Sequence, residues 1–164
     1  MASIEARRAA LQQEMKQANA IIVKNGRDLQ RAADIWMTAA RKDALLALLA
    51  QLVTCFGRLV QRTPVDTGRA RAGWHIAGES DEWKPDPGDY EEAKGDAARL
   101  IARETAKLGG ITDADVIYIM NNVEYILPLE AGWSKKQGGG FTALFLAELR
   151  AQLERAAAEW SRQQ

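Results

Sequence analysis

The chain has 164 residues, 47% of them apolar, which suits one compact domain around one core. Twenty-two basic side chains balance 22 acidic ones and the sequence pI is about 6.6, so no net field draws it toward nucleic acid or an anionic lipid surface. A single cysteine, Cys55, excludes an intrachain disulfide and gives no support to an oxidising compartment.

Residues 1–62 read as helical. Ile4, Leu11, Met15, Ala18 and Ile22 recur near three- and four-residue spacing. Asn25-Gly26 marks a break, because both residues tolerate left-handed backbone. A second helical run carries Leu29, Ala33, Trp36, Met37, Leu45, Leu48, Leu49, Leu52, Val53, Phe56 and Val60. From Leu45 to Phe56 it is apolar around most of its circumference, as a helix buried on several sides would be. The apolar stretch Ala44–Phe56 is too short to span a bilayer, and the charged N-terminus lacks an apolar signal core. The expectation is a soluble protein used without export, with no membrane partner. Thr63-Pro64 ends the helix, since the residue before proline is pushed out of the helical region.

Asp66-Thr67-Gly68 reads as a tight turn, and Arg69–Ile76 as a strand of alternating charged and small or aromatic residues. Gly78–Asp89, with Pro85 and Pro87 and five acids, reads as a surface loop. A helix over about Tyr90–Leu108 stops at Gly109-Gly110. Val116–Met120 is the clearest strand, with Asn121-Asn122 as its turn. Tyr125–Leu129 is apolar around Pro128 and reads either as a short helical turn or as an irregular strand. Ser134–Gly140 is a glycine-rich loop. A last helix over about Phe141–Ser161 carries Leu144, Phe145, Leu149, Leu153, Ala157 and Trp160 along one stripe. The class is α+β within a single domain over 1–164: helices over 1–62, then a core over 63–164 with a small, mainly antiparallel sheet and a C-terminal helix.

Catalysis finds little to work with. His75 is the only histidine and stands beside Trp74, which suits packing. Cys55 lies among Leu52, Val53 and Phe56, where a thiol behaves as a small hydrophobe. Asp81, Glu82, Asp86, Asp89, Glu91 and Glu92 lack the spacing of a calcium loop, and Gly138–Gly140 lacks the Lys-Ser or Lys-Thr of a phosphate loop. No enzyme activity, cofactor or metal is expected. Charge is unevenly placed, however. Met1–Arg62 holds ten basic and five acidic residues, and Gly78–Asp96 holds eight acidic and two basic ones. These are either two solvated faces or complementary patches that meet within the fold or between subunits. Of five tryptophans, Trp74 and Trp133 read as core or sheet-packing residues. Trp83 and Trp160 read either as incidentally half-buried or as contacts with partners.

Two segments stand out. The first runs Thr63, Pro64, Val65, Asp66, Thr67, Gly68, Arg69 and on through Arg71 to Trp74. The second runs from Asn121 and Asn122 through Tyr125 and Ile126 to Glu130, Gly132, Trp133 and Ser134. Their order and separation resemble the tail-completion or neck proteins of long-tailed bacteriophages, the minor tail protein Z type, over roughly residues 40–162. One departure is Lys135-Lys136-Gln-Gly-Gly-Gly140, where similar proteins carry a Gln-Ala-Pro-x-Gly-like run.

The resemblance implies a virion protein at the head–tail junction, assembled in the host cytoplasm. It implies a ring of six copies, or alternatively twelve, between the head connector and the tail terminator or tail tube, with DNA passing through unread. Asp81, Glu82, Trp83, Asp86, Asp89, Lys135, Lys136 and Trp160 are then candidates for interface or channel positions, and Glu130 a partner for Arg69 or Arg71. The alternative is a small DNA-binding or packaging accessory protein using the basic N-terminal helices. A hydrolase pairing His75 with an Asp or Glu is a remote third.

Overall fold

The computed structural model describes residues 4–19, 26–79, 82–112, 116–135 and 138–162. The fold is α+β. Helices α1 (Ile4–Asn19) and α2 (Gly26–Arg62) form an antiparallel N-terminal pair, and α7 (Phe141–Arg162) packs along α2. Ile22 and Asn25 lie outside the described residues; α2 begins at Gly26.

Helix α2 is the spine because its apolar residues go round the cylinder. Leu46 and Ala39 meet Leu11 of α1 in a small cluster. Leu49, Leu52, Cys55, Phe56, Leu59 and Val60 enter the main core with Leu100, Leu108, Phe141 and Phe145. Over Met37–Arg62 the helix is long and apolar enough to cross a membrane by length and composition alone. Part of its apolar surface is buried by these contacts, while Met37 stays exposed. Cys55 is fully buried, and burial pushes its thiol pKa up.

The chain after α2 departs from its sequence reading. Arg69–Ala72 is a helical turn, α3, and the strand β1 is only Trp74–Ala77. Gly68 explains the difference. At φ 87° it swings the chain so that its carbonyl accepts from Ala72 N at 2.9 Å, which closes a helical turn before the strand can start. The expected helix over 90–108 is broken as well, into α4 (Tyr90–Lys94) and α5 (Ala98–Ala106). Asp96 accepts from Ala98 N at 3.1 Å and Glu92 from Leu100 N at 3.0 Å, so α5 has an N-terminus of its own. A 3-10 turn at Lys107–Gly110 then ends this part at the expected glycines.

Strand β2 is Tyr118–Asn121, so Asn121 belongs to the strand and not to its turn. It pairs antiparallel with β1 in the register Trp74–Asn121, His75–Met120, Ile76–Ile119 and Ala77–Tyr118. Ile126–Glu130 is the helical turn α6. Of the stripe read along the last helix, Phe145 is buried and Leu149 packs on the core, while Leu144 faces outward.

Helices α2 and α7 are also tied by charge. Glu148 accepts from Arg62 at 2.7 Å and lies 3.8 Å from Arg58. The Arg62 hydrogen bond is the main cause that holds the Glu148 carboxyl below the usual carboxylate range. A carboxyl with a depressed folded pKa contributes stability above its unfolded pKa and loses it as pH falls through the folded one. Glu148→Gln should therefore lower Tm at pH 7 and converge with the parent in acid, as thermal melts across pH 2–7 would show. A constant gap across that range would contradict the pairing.

Candidate functional site

The two signature segments, some fifty residues apart in sequence, are joined at several points. Thr63 is fully buried; its hydroxyl donates to Leu59 O at 2.9 Å and accepts from the Trp74 indole at 2.7 Å. Trp74 is buried and meets Phe141 edge-on, with ring centroids 6.3 Å apart. The first segment is thus closed on itself by its two ends. Asn121 then attaches the second segment, donating to Ala70 O at 2.8 Å and accepting from Val123 N at 3.2 Å. Gly73 permits this approach, since a Cβ there would press on the Asn121 amide and the Val123 side chain.

The arginines of the first segment act differently from one another. Arg71 donates to Thr63 O (3.0 Å), Gln61 O (2.7 Å) and Gly95 O (2.7 Å), with a longer contact to Ala93 O. One guanidinium therefore satisfies the last carbonyls of α2 and of α4, where helix dipoles favour a cation. Desolvation lowers its pKa from the ordinary arginine value. Arg69 reaches the second segment, donating to Glu124 at 2.9 Å and standing 5.9 Å from the Tyr125 ring centre. Thr67 Oγ1 accepts from Arg69 N at 3.4 Å, and a Cβ at Gly68 would collide with the Tyr90 carbonyl.

The expected pairing of Glu130 with Arg69 or Arg71 is corrected. Glu130 accepts from Thr142 N (3.0 Å) and Ala143 N (3.3 Å), so it caps α7, where anions are favoured. Arg69 is held by Glu124 and Arg71 by the backbone carbonyls of Gln61, Thr63 and Gly95. Gly140 N donates to Glu130 O at 2.8 Å, and Gly139 passes so close to α6 that a Cβ would overlap Glu130 O. Gly139 and Gly140 thus fit the loop onto α6. Gly132, at φ 89°, ends α6 in the left-handed conformation that favours glycine.

Trp133 is the largest correction. Read from sequence as a core or sheet-packing residue, it is 78% exposed. Leu127, at 76%, is exposed on the same short segment, and Leu144 and Leu146 are exposed on the helix that Glu130 caps. A groove of about 500 Å³ has walls from both segments: Pro64, Val65, Asp66, Thr67, Gly68 and Ala70 from the first, and Tyr125, Leu129 and Ser134 from the second, with Lys135 next in the chain.

The acidic segment is less free than its composition suggests. Asp89 accepts two hydrogen bonds from Arg103 (3.0 and 2.8 Å), Glu91 pairs with Lys94, and Asp86 accepts from Gly88 N at 2.8 Å. Glu82 is exposed, whereas Asp81 lies outside the described residues. Trp83 is half-buried and stacks on His75, with centroids 4.1 Å apart and planes 7° from parallel. Lys136 and the Trp160 side chain also lie outside the described residues. On the basic side, Arg7 donates to Gly109 O and Ile111 O, and Lys42 pairs with Glu14 across α1 and α2.

Sequence reasoning missed Glu104. It is fully buried, and its carboxylate accepts from Ile76 N (3.1 Å), Lys107 Nζ (2.5 Å) and Arg103 Nε (3.3 Å), with His75 Nδ1 at 3.1 Å. His75 is therefore packed between Glu104 and Trp83, with Lys107 Nζ 3.0 Å from its Nδ1. No sequence signal marks Glu104, since a Glu within a helix is ordinarily a surface residue. Comparison of the chain with protein-family models, with curated proteins and with solved structures returns no match in any of the three.

Proposed function

We propose that the chain is a structural virion protein of a long-tailed phage. In this reading it is a tail-completion or neck subunit that forms a ring between the head connector and the tail, leaving a channel for DNA. The reading rests on the resemblance carried by the two segments. One observation gives it physical content: both segments line a single groove, and the exposed Trp133 directly precedes Ser134 of its wall. Large apolar side chains left in water, such as Leu127 and Trp133, suit a contact with another protein. The role is mechanical and calls for no catalysis. The DNA-binding alternative draws less support, because Arg7 and Lys42 of the basic N-terminal pair are engaged within the fold.

The purified protein should form rings, seen as a mass of six or twelve copies by light scattering and as annular particles by electron microscopy. A persistent monomer that never associates with tails would overturn the reading. Within rings, Trp133→Ala with Leu127→Ser should weaken assembly or tail joining by about 30-fold or more, the scale of a hot-spot pair. The monomer's melting temperature should hardly change, because both side chains are already in water.

A further inference from the structure

Among the described residues the sheet has two strands, and its two outer edges are treated differently. On β1, the outward N–H of Ile76 donates to the buried Glu104 carboxylate at 3.1 Å, so α5 closes that edge. This fixes the ladder. If Ile76 N–H points away from β2, then Ile76–Ile119 is a non-hydrogen-bonded pair, and His75–Met120 and Ala77–Tyr118 carry the inter-strand bonds. On β2 the N–H and C=O of Ile119 consequently point away from β1, toward an edge on which no third strand pairs among the described residues.

Edges of this kind are normally guarded by charge, proline, a bulge or a covering element. Ile117-Tyr118-Ile119-Met120-Asn121 contains no charged residue and no proline, and its register with β1 is uninterrupted. Val116 and Tyr118 are exposed beside it.

We propose that β2 is a strand-pairing edge and that its occupant is the β2 of a second copy, antiparallel about a two-fold axis at Ile119. The geometry is self-complementary. The outward N–H and C=O of one Ile119 meet the C=O and N–H of the other, which is a closely spaced hydrogen-bonded pair. Tyr118 then faces Met120 of the other copy, and Ile117 faces its Asn121. No like charges oppose one another in this register, and an aromatic ring meets a thioether. The result is a four-stranded sheet, β1-β2-β2-β1, closed at both ends by Glu104. This contact goes beyond the ring reading, since ring contacts are head-to-tail whereas this one joins pairs. Either can form without the other.

The test uses two full-length single variants, Tyr118→Cys and Met120→Cys, oxidised separately and as an equimolar mixture. Cys55 is buried and does not compete. The expected result is a disulfide-linked dimer in the mixture alone, because only residues 118 and 120 of different copies are directly opposed. Equal cross-linking in the separate samples, or none in the mixture, would overturn the register and the proposal. A measurement on the unaltered protein guards against misfolded variants. Hydrogen exchange of the Ile119 amide should slow at least tenfold on raising concentration across the dimerisation range, while the Met120 amide, bonded to β1, stays unchanged. An Ile119 amide that exchanges equally fast at all concentrations would also overturn it. That outcome would leave the edge to a strand from a different protein. Rings without the mixed disulfide would sink this inference and spare the ring reading; mixed disulfides without rings would do the reverse.

Discussion

Glu104→Ala should lower the free energy of unfolding by about 3–5 kcal/mol, which places it among the most damaging single substitutions in the chain. The carboxylate is buried and takes hydrogen bonds from Ile76 N, Lys107 and Arg103. Lys107 and Arg103 are partly exposed and can turn to water, so their share of the loss is small. The Ile76 N–H cannot turn. It belongs to a strand and would be left buried without an acceptor, at about 1–3 kcal/mol, with a cavity beside it. Glu104→Gln separates the two contributions, because the amide oxygen still accepts from Ile76 N while the charge is gone. It should cost about 1–2 kcal/mol. Urea denaturation at pH 7 measures both. Equal losses for Ala and Gln would mean that charge, and not the strand amide, is what Glu104 serves. The β1 edge would then have been misjudged.

What could be read from sequence follows from how local its cause is. Helices α1, α2 and α7 were legible because apolar spacing and a proline stop act within a few residues, and each lies close to its expected span. The antiparallel sheet was legible in kind, since β-branched and aromatic residues mark β2. Its extent was not. Gly68, at φ 87°, turns the chain into α3, and its missing side chain also lets the Tyr90 carbonyl approach, a contact 22 residues away that no local pattern contains. Trp133 shows the opposite failure. An aromatic residue in a turn reads as a core residue by default, yet the positive-φ Gly132 before it directs the chain outward. Glu130 was assigned to an arginine on charge alone, whereas two orphan amides at the start of α7 were the nearer claim. Arg71 and Glu104 share one cause of invisibility. Each satisfies backbone groups of several elements at once, and such a role exists only after the elements have met.

Trp74→Ala should cost about 3–5 kcal/mol, through lost burial of the largest side chain on the sheet and the cavity that remains against Phe141. A finer experiment concerns the indole N–H. Trp74→Phe keeps an aromatic ring in the core but removes the donor to Thr63 Oγ1, and Thr63→Val removes the acceptor while roughly keeping the shape. The two losses are unequal in kind. With phenylalanine the threonine hydroxyl still donates to Leu59 O, whereas with valine the buried indole N–H has no acceptor. Trp74→Phe should cost about 1–2 kcal/mol, including its smaller ring, and Thr63→Val about 1–3 kcal/mol. Because each single change already breaks the same bond, the double variant should cost less than the sum, by about 1 kcal/mol or more. Guanidinium denaturation of the four proteins closes the cycle. This bond joins the end of α2 to the start of β1, so the same cycle reports whether the first signature segment is held shut by its own two ends. Strict additivity would mean that the 2.7 Å contact carries no weight, and that the turn between Thr63 and Trp74 is held by Arg71 and Gly68 instead.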